Sequence, residues 1–341
     1  MKSKKKDIID IPIFWDFDLT VSKEYQQLPL FEKRFKDIQK HLASVGIQTN
    51  HSLDYFKKVD LEGGDLGLVY LQHMIWDAQK GGCLEGLTNT ELFSLGKLIQ
   101  PADGFRECLV SLRKEFAGKA RLHHFFISVG LLEMMKGFLE KQRLKTYVDQ
   151  IAASQFFTDK KGVINGIKNA VLPFTKNEWI ISFMKGSHGL LNRQLLPKQY
   201  KFSYPNMIVI GDGYTDISKF SYAKKKGGTP VAVYRPQDKK LYQKAAKTVG
   251  PWADYILPQE YGVDTLTYQY LVKIIQDKID FKPALRHATL HDYKKGLVTD
   301  SEEKAFIQRV LKKDVACQKY FEKVFVDHEY NEITSCQYSY E

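Results

Sequence analysis

Three short apolar segments, each running into small or acidic turn residues, limit the possible folds of this chain most strongly. The first, IIDIPIFW, covers residues 8–15, the second, HHFFISVG, covers residues 123–130, and the third, MIVIGDG, covers residues 207–213. Short runs that are rich in β-branched and aromatic residues are typical of buried strands. Segments with helical spacing separate them, and this alternation predicts an α/β fold with a mostly parallel sheet.

The spacing of apolar residues also divides the chain into regions. Residues 24–98 show helical patterning, as in LFEKRFKDIQKHLASVGI, and contain two glycine pairs, so we predict a helical insert there. Residues 1–23 and 99–263 form the predicted core around this insert. Residues 264–341 are predicted to be a helical C-terminal extension that carries no recognisable chemistry.

Two local patterns within the core give sharper predictions. IAASQFFTDKKGVINGI, residues 151–167, predicts a β-hairpin that turns at Asp159–Gly162. Thr175 precedes a segment with helical spacing, and we predict that its side chain caps that helix.

The net charge of +11 is unevenly distributed along the chain. Residues 219–247 contain nine basic residues and one acidic residue, whereas residues 24–98 contain eight basic and ten acidic residues. A basic protein attracts anions, which range from phosphorylated metabolites to nucleic acids. The uneven distribution argues against one continuous nucleic-acid groove.

The cysteines and the apolar segments bear on localisation. No CxxC pair occurs, so neither a zinc knuckle nor a thioredoxin-type redox site is predicted. No apolar stretch reaches the roughly 18 residues that suggest a membrane span. The basic and then apolar start is interrupted by Asp7 and Asp10, and no small-residue cleavage site follows. We therefore expect a cytoplasmic protein with free thiols. The four cysteines are Cys83, Cys108, Cys317 and Cys336.

Four carboxylates follow two of the predicted strands. Asp16 and Asp18 come after the first strand, and residues two apart on a strand share a face. Asp212 lies in the Gly-Asp-Gly turn after the third strand, and Asp216 follows one helical turn later. Ligands of parallel sheets bind beyond the carboxyl ends of the strands. Carboxylates gathered there repel one another unless a cation lies among them, and hard oxygen ligands favour Mg²⁺ completed by a phosphate.

Groups suited to binding an anion occur at the same sheet edge. Ser128 supplies a hydroxyl, and the turn that it begins supplies the backbone N–H groups of Val129 and Gly130. Lys176 supplies a cation at a helix start, where the helix dipole also favours anions. A carboxylate beside a metal can attack phosphorus and form an aspartyl phosphate, so phosphoryl transfer is the chemistry that this set favours.

These motifs resemble those of the haloacid dehalogenase (HAD) superfamily of phosphohydrolases. DFDLT at residues 16–20, the Ser128 turn, TKNE around Lys176 and GDGYTD at residues 211–216 occur in the order that the superfamily shows. The resemblance covers roughly residues 8–260. The hairpin and the position of the insert, between the first and second motifs, resemble the phosphoserine-phosphatase-like branch with a helical cap. The 48 positions between Ser128 and Lys176 leave no room for the larger α/β cap of other branches. The resemblance implies a Rossmann-like core.

The resemblance also implies roles in catalysis. Asp16 is the expected nucleophile, and Asp18 is expected to protonate the leaving alcohol and then activate water. Thr20 is expected to orient Asp18 or the transferring group. The dehalogenases of the superfamily lack the second aspartate, so Asp18 argues for phosphate ester chemistry. Leu19 occupies a position that is often Gly, and this difference does not argue against catalysis.

The remaining motif residues are expected to bind phosphate and metal. Ser128 and Lys176 would hold phosphate oxygens, and Lys176 would also steady the nucleophile. Asp212 would bind Mg²⁺ directly together with Asp16 and the main-chain carbonyl of Asp18, and Asp216 would support the metal shell. The expected activity is hydrolysis of a small phosphorylated metabolite, because a closing cap excludes large substrates.

Two other functions stay open from the sequence. The basic stretch at residues 219–247 would suit a nucleic-acid end phosphatase or a nucleic-acid-binding module. The chain could also be a non-catalytic interaction protein that keeps the fold and docks through residues 264–341. The oligomeric state is not predicted.

Overall fold

The computed structural model describes residues 8–196, 199–236 and 239–280. A seven-stranded sheet forms its centre. Its strands are β1 Ile9–Trp15, β2 Ala120–Leu131, β3 Val148–Thr158, β4 Ile164–Asn169, β5 Ile208–Gly211, β6 Thr229–Tyr234 and β7 Tyr255–Pro258. Their order in the sheet is β4-β3-β2-β1-β5-β6-β7. Every neighbouring pair is parallel except β3 and β4, which are antiparallel. Without β4, the parallel strands follow the order found in Rossmann folds. From β1, the chain first adds strands on one side and then, starting with β5, on the other side. The predicted α/β fold with a mostly parallel, Rossmann-like sheet is therefore confirmed.

The strands predicted at residues 8–15, 123–130 and 207–213 correspond to β1, β2 and β5, and β7 was not predicted. The predicted hairpin is β3 and β4, which pair antiparallel on either side of the Asp159–Gly162 turn.

The segment between β1 and β2 contains the helices predicted for the insert. The helices of this part of the chain are α1 Leu28–Lys33, α2 Phe35–Ser44, α3 Tyr55–Glu62, α4 Leu66–Ala78 and α5 Asn89–Gly96. A β-bridge between Ser22 and Pro101 joins the segment that leads from β1 into the insert to the segment that leads from the insert back to the core. The insert also contacts the hairpin, because the Gln79 amide donates to Ile164 O at 2.9 Å. The division into core, cap and extension stays a prediction.

The remaining helices alternate with the strands. They are α6 Phe105–Glu115, α7 Leu132–Lys141, α8 Lys176–Lys185, α9 Ile217–Lys225, α10 Lys239–Thr248 and α11 Leu266–Asp280. Helix α11 lies within residues 264–341, for which a helical extension is predicted, and the part after residue 280 lies outside the described residues. No helix among the described residues is long and apolar enough to cross a membrane.

Alternate residues of β1 bury themselves on opposite faces of the sheet. Ile11, Ile13 and Trp15 belong to one apolar cluster, which extends into the insert, and Phe14 belongs to the other. This period of two is what a strand dictates. Both faces of β1 are therefore buried up to its carboxyl end.

One local prediction is wrong. Thr175 precedes α8, but its side chain makes no capping hydrogen bond to that helix. Its backbone is already helical, and Thr175 Oγ1 instead accepts from Leu172 N at 2.8 Å. The hydroxyl thus closes the turn before the helix.

Candidate active site

The predicted motif residues follow three adjacent strands. Asp16 follows β1, Ser128 lies near the end of β2, and Asp212 follows β5. Strand β1 lies between the other two, and the sheet order reverses between β1 and β5. Ligands of open α/β sheets bind in the crevice that such a reversal creates beyond the strand ends. The topology therefore brings these turns to one place.

Asp16 is held by the ammonium of Lys176, which begins α8. Lys176 Nζ lies 2.7 Å from Asp16 Oδ1 and 2.8 Å from Asp216 Oδ1, and all three side chains are buried. Burial and the nearby Asp216 raise the pKa of Asp16, and Lys176 opposes this effect. The same two carboxylates raise the pKa of Lys176 although burial lowers it. Lys176 therefore stays charged and fixes the carboxylate of Asp16.

Lys219 is a second buried ammonium, and the sequence analysis did not predict it. Lys219 Nζ lies 2.8 Å from Asp216 Oδ1 and 4.0 Å from Asp16 Oδ1, and it also donates to Ile210 O at 3.0 Å. Burial would raise the pKa of Asp216, but Lys176 and Lys219 hold that pKa below its usual value. The available signal was a lysine three residues after the last motif aspartate, on the same face of the helix that begins there.

Asp216 also organises the turn after β5. Asp216 Oδ2 accepts from Asp212 N at 3.0 Å and from Gly213 N at 3.5 Å. A Cβ at Gly211 would lie 2.0 Å from Asp216 Oδ2, so this position requires glycine. Asp216 thereby sets the position of Asp212.

Three of the acidic groups lie close enough together to hold a divalent cation. Asp16, Asp212 and Asp216 each offer a carboxylate oxygen, and these oxygens lie within 4.8 Å of one another. Burial and the two neighbouring carboxylates raise the pKa of Asp212 well above its usual value. A hard cation among these oxygens would remove that repulsion, and oxygen donors are the set that Mg²⁺ prefers. The residues present therefore fit the predicted metal.

Asp18 lies beside this cluster and has a different partner. Asp18 Oδ1 accepts from Gln26 N at 2.8 Å, and Asp18 Oδ2 accepts from the Gln26 amide at 3.3 Å. Burial and the charge of Asp16 raise the pKa of Asp18 to about 7. A carboxyl group with a pKa near neutrality is suited to give and take a proton. The intervening Leu19 adopts the left-handed backbone, with φ of 56°, a conformation that glycine adopts more easily.

Gln26 is another site residue that the sequence analysis missed. Its buried amide donates to Ser128 Oγ at 3.4 Å, and its carbonyl oxygen accepts from Leu131 N at 2.8 Å. A Cβ at Gly130 would overlap the Gln26 amide, so glycine makes room for it. Gln26 thus connects the end of β2 with Asp18.

The other predicted phosphate ligands lie around these groups. Ser128 Oγ accepts from Gly130 N at 3.0 Å, and the carbonyl of Val129 accepts from Ser154 Oγ at 2.9 Å. Thr20 is buried, and Thr20 Oγ1 has no hydrogen-bond partner among the described residues. Its orienting role and the phosphate-binding roles stay predictions.

The basic stretch at residues 219–247 is less available than its sequence suggests. Lys219 is buried in the acidic cluster, and Lys224 pairs with Asp254 at 3.4 Å. Arg235 pairs with Glu24 at 2.6 Å, at the start of the insert. These ion pairs neutralise part of the positive charge of residues 219–247, so less of it can attract an external anion.

A second cluster of metal-ligating residues occurs inside the insert. His41, Asp77 and Cys83 offer ligand atoms within 4.8 Å of one another. The ammonium of Lys58 contacts both Asp77 and His41, and the Tyr55 hydroxyl donates to Asp77. Burial raises the pKa of the Cys83 thiol to about 12. Lys58 and Asp77 therefore form a buried ion pair within the insert. Cys83 and Cys108 are free thiols, and the other two cysteines lie outside the described residues.

Comparison with known proteins gives only distant similarities. No protein-family model matches the chain, and no curated protein matches it. A substrate-bound phosphoserine phosphatase is 16% identical over 79% of this chain and 100% of that chain, with a TM-score of 0.47. Cytosolic 5'-nucleotidase IIIB bound to cytidine is 14% identical over 80% and 88%, with a TM-score of 0.45. A HAD family hydrolase from Salmonella enterica serovar Typhi is 12% identical over 79% and 72%, with a TM-score of 0.43. Similarity at this level carries no argument about activity.

Proposed function

We propose that this chain is a Mg²⁺-dependent phosphohydrolase of the HAD superfamily that hydrolyses a small phosphomonoester through an aspartyl phosphate. The observation that carries the proposal is the buried cluster of Asp16, Asp212 and Asp216 around Lys176 at the reversal of the sheet. The cluster combines a fixed carboxylate nucleophile with a site for a divalent cation. Asp18, with a pKa of about 7, supplies the proton donor beside it.

Asp16 and Asp18 divide the reaction between them. A carboxylate oxygen of Asp16 attacks phosphorus, the bond from phosphorus to the ester oxygen breaks, and Asp18 gives its proton to the leaving alkoxide. The Asp18 carboxylate then takes a proton from water while that water attacks the phosphorus of the aspartyl phosphate, and the bond from phosphorus to the Asp16 carboxylate oxygen breaks. Inorganic phosphate leaves, and both aspartates regain their starting forms.

The other residues hold these groups in place. Asp16, Asp212 and the main-chain carbonyl of Asp18 would hold Mg²⁺, with Asp216 behind Asp212. When bound, Mg²⁺ supplies positive charge that neutralises phosphate oxygens. Lys176 keeps Asp16 oriented. Ser128 and the turn after it would contact the phosphate from the neighbouring strand.

Hydrolysis of p-nitrophenyl phosphate tests the proposal. We expect the purified chain to release p-nitrophenol with Mg²⁺, to lose activity with EDTA and to regain it when Mg²⁺ is restored. Asp16→Asn should lower kcat by at least about a thousandfold, because removal of a nucleophile abolishes the covalent route. Asp54→Asn, in the insert, is the matched control and should keep the activity. Equal rates for Asp16→Asn and the unchanged chain would refute the mechanism.

A further inference from the structure

Helix α4 of the insert lies against the segments that carry the phosphate ligands. A Cβ at Gly67, near the start of α4, would lie 3.0 Å from Leu172 Cδ2 and 3.4 Å from Val129 Cγ1. Val129 follows Ser128, and Leu172 O accepts from Lys176 N at 3.1 Å. This face of α4 therefore lies directly against the segments that carry the phosphate ligands, and a methyl group at Gly67 would require the Leu172 side chain to shift slightly.

Tyr70 lies on the same face of α4, because residues three apart in a helix are neighbours. Its side chain is 4% exposed, as is that of Gln27 at the start of α1. Neither the Tyr70 hydroxyl nor Gln27 Oε1 has a hydrogen-bond partner among the described residues. Buried polar atoms are nearly always paired, so two such atoms beside a site need an explanation.

These two groups are connected to the catalytic residues. Gln27 follows Gln26, whose backbone and side chain both bind Asp18. Tyr70 lies one helical turn after Gly67, on the face of α4 that meets Val129 and Leu172. Gln27 is therefore next to the residue that binds Asp18, and Tyr70 lies on the helix face that meets the turn of Ser128.

The charges of the insert indicate what kind of group would bind there. Among the described residues, the buried charged side chains of the insert are Lys58 and Asp77, which pair with one another. Tyr70 and Gln27 therefore offer neutral hydrogen-bonding groups on the insert side of the site. A carboxamide oxygen accepts a hydrogen bond, so it needs a donor from its ligand.

On the basis of the proposed function, we propose that Gln27 Oε1 and the Tyr70 hydroxyl bind the leaving half of the substrate. They would select phosphomonoesters whose alcohol carries a hydroxyl or amino hydrogen-bond donor and no carboxylate. A site that binds such a group rejects analogues that lack it, because its own polar atoms are then left unpaired.

Steady-state kinetics on matched esters test this inference. Glycerol 1-phosphate and ethanolamine phosphate carry the donor, propyl phosphate lacks it, and phosphoserine adds a carboxylate. We expect kcat/KM for one of the first two to exceed that for propyl phosphate and for phosphoserine at least about tenfold. Which of the two is preferred distinguishes a hydroxyl donor from an amino donor. Tyr70→Phe and Gln27→Met should each lower the ratio to propyl phosphate by about tenfold.

Thermal unfolding separates recognition from a structural role. Tyr70→Phe removes a hydroxyl without a partner, so its Tm should equal or exceed that of the unchanged chain. Tyr55→Phe is the matched control in the same insert: it removes a hydroxyl that Asp77 binds, so its Tm should fall while the substrate ratio stays the same. A ratio near one in the unchanged chain, or an unaltered ratio in both site variants, would overturn the inference. The proposed function is independent of that outcome, since it fails only if Mg²⁺-dependent, Asp16-dependent hydrolysis is absent.

Discussion

At the scale of single residues, the site depends on how its buried charges are paired. Asp216 lies between two ammonium groups, Lys176 and Lys219, which hold its carboxylate in place. That carboxylate in turn positions Asp212 by accepting a hydrogen bond from its backbone N–H. The motifs predicted Lys176, because it begins a helix after a recognisable turn. They did not predict Lys219, because in the sequence it belongs to a basic stretch. Its role depends on burial, which charge counting does not reveal.

Replacement of Lys219 tests this charge balance. Lys219→Met keeps roughly the length of the side chain but leaves Asp216 with one cation, so the free energy of unfolding should fall by about 3 kcal/mol. The kcat for p-nitrophenyl phosphate should fall at least tenfold, since Asp216 no longer holds its position. Urea unfolding and steady-state rates measure the two effects. Lys224→Met, which removes a partly exposed ion pair, should cost less than about 1 kcal/mol; equal losses in both variants would contradict the account.

At the scale of the elements, the insert returns to the core through a close helix contact. A Cβ at Gly96 of α5 would lie 2.0 Å from Met134 O, and a Cβ at Gly137 of α7 would lie 2.0 Å from Phe93 O. The two helices therefore meet backbone against backbone. Helical spacing predicted that the insert is helical, but the partner of each helix depends on such local fits, which sequence patterns do not encode.

Alanine substitution at this contact should reverse the usual preference of helices. Gly→Ala normally stabilises a helix interior by about 1 kcal/mol. Gly137→Ala should instead destabilise the protein by about 3 kcal/mol, because the methyl group has no space. Ser94→Ala, at an exposed position of α5, is the control and should change stability by less than about 0.5 kcal/mol. The midpoint of urea unfolding measures both, and a neutral Gly137→Ala would show that the helices are further apart.

The amino-terminal ends of β1, β2 and β3 carry a cluster of charged side chains whose contribution to stability should depend on pH. His123 lies 2.9 Å from both Asp10 and Asp149, and Arg121 binds Asp10 with two hydrogen bonds. Burial would lower the pKa of His123, but the two carboxylates raise it above its usual value. Burial would raise the pKa values of Asp10 and Asp149, but their basic partners hold them below the usual value.

The sign of the pH effect follows from these shifts. A raised histidine pKa contributes stability that is fully present below its unfolded pKa of about 6.5 and is lost as the pH rises through the folded value. His123→Asn should therefore reduce the free energy of unfolding more at pH 5.5 than at pH 8.5. His51→Asn corrects for the loss of an exposed histidine. An equal loss of unfolding free energy at both pH values would show that Asp10 and Asp149 do not favour the protonated form of His123.

At the scale of the whole molecule, local patterns predicted most of the fold. Strands β1, β2 and β5 were predictable because their apolar runs are short and end in distinctive turns. The same turns predicted that Asp16, Ser128 and Asp212 share one edge, since parallel strands end together. The order of all seven strands and the side chains that connect insert and core, such as Gln26, depend on tertiary packing. They required the structure.

The central claim is that Asp16, held by Lys176 beside Asp212, accepts a phosphoryl group. Acid quenching during turnover, borohydride reduction and peptide mass spectrometry test it directly, because reduction converts an aspartyl phosphate to homoserine. The account predicts homoserine at position 16 when substrate and Mg²⁺ are both present, and none when either is omitted. Steady turnover with an unmodified Asp16, or with the modification at another aspartate, would contradict it.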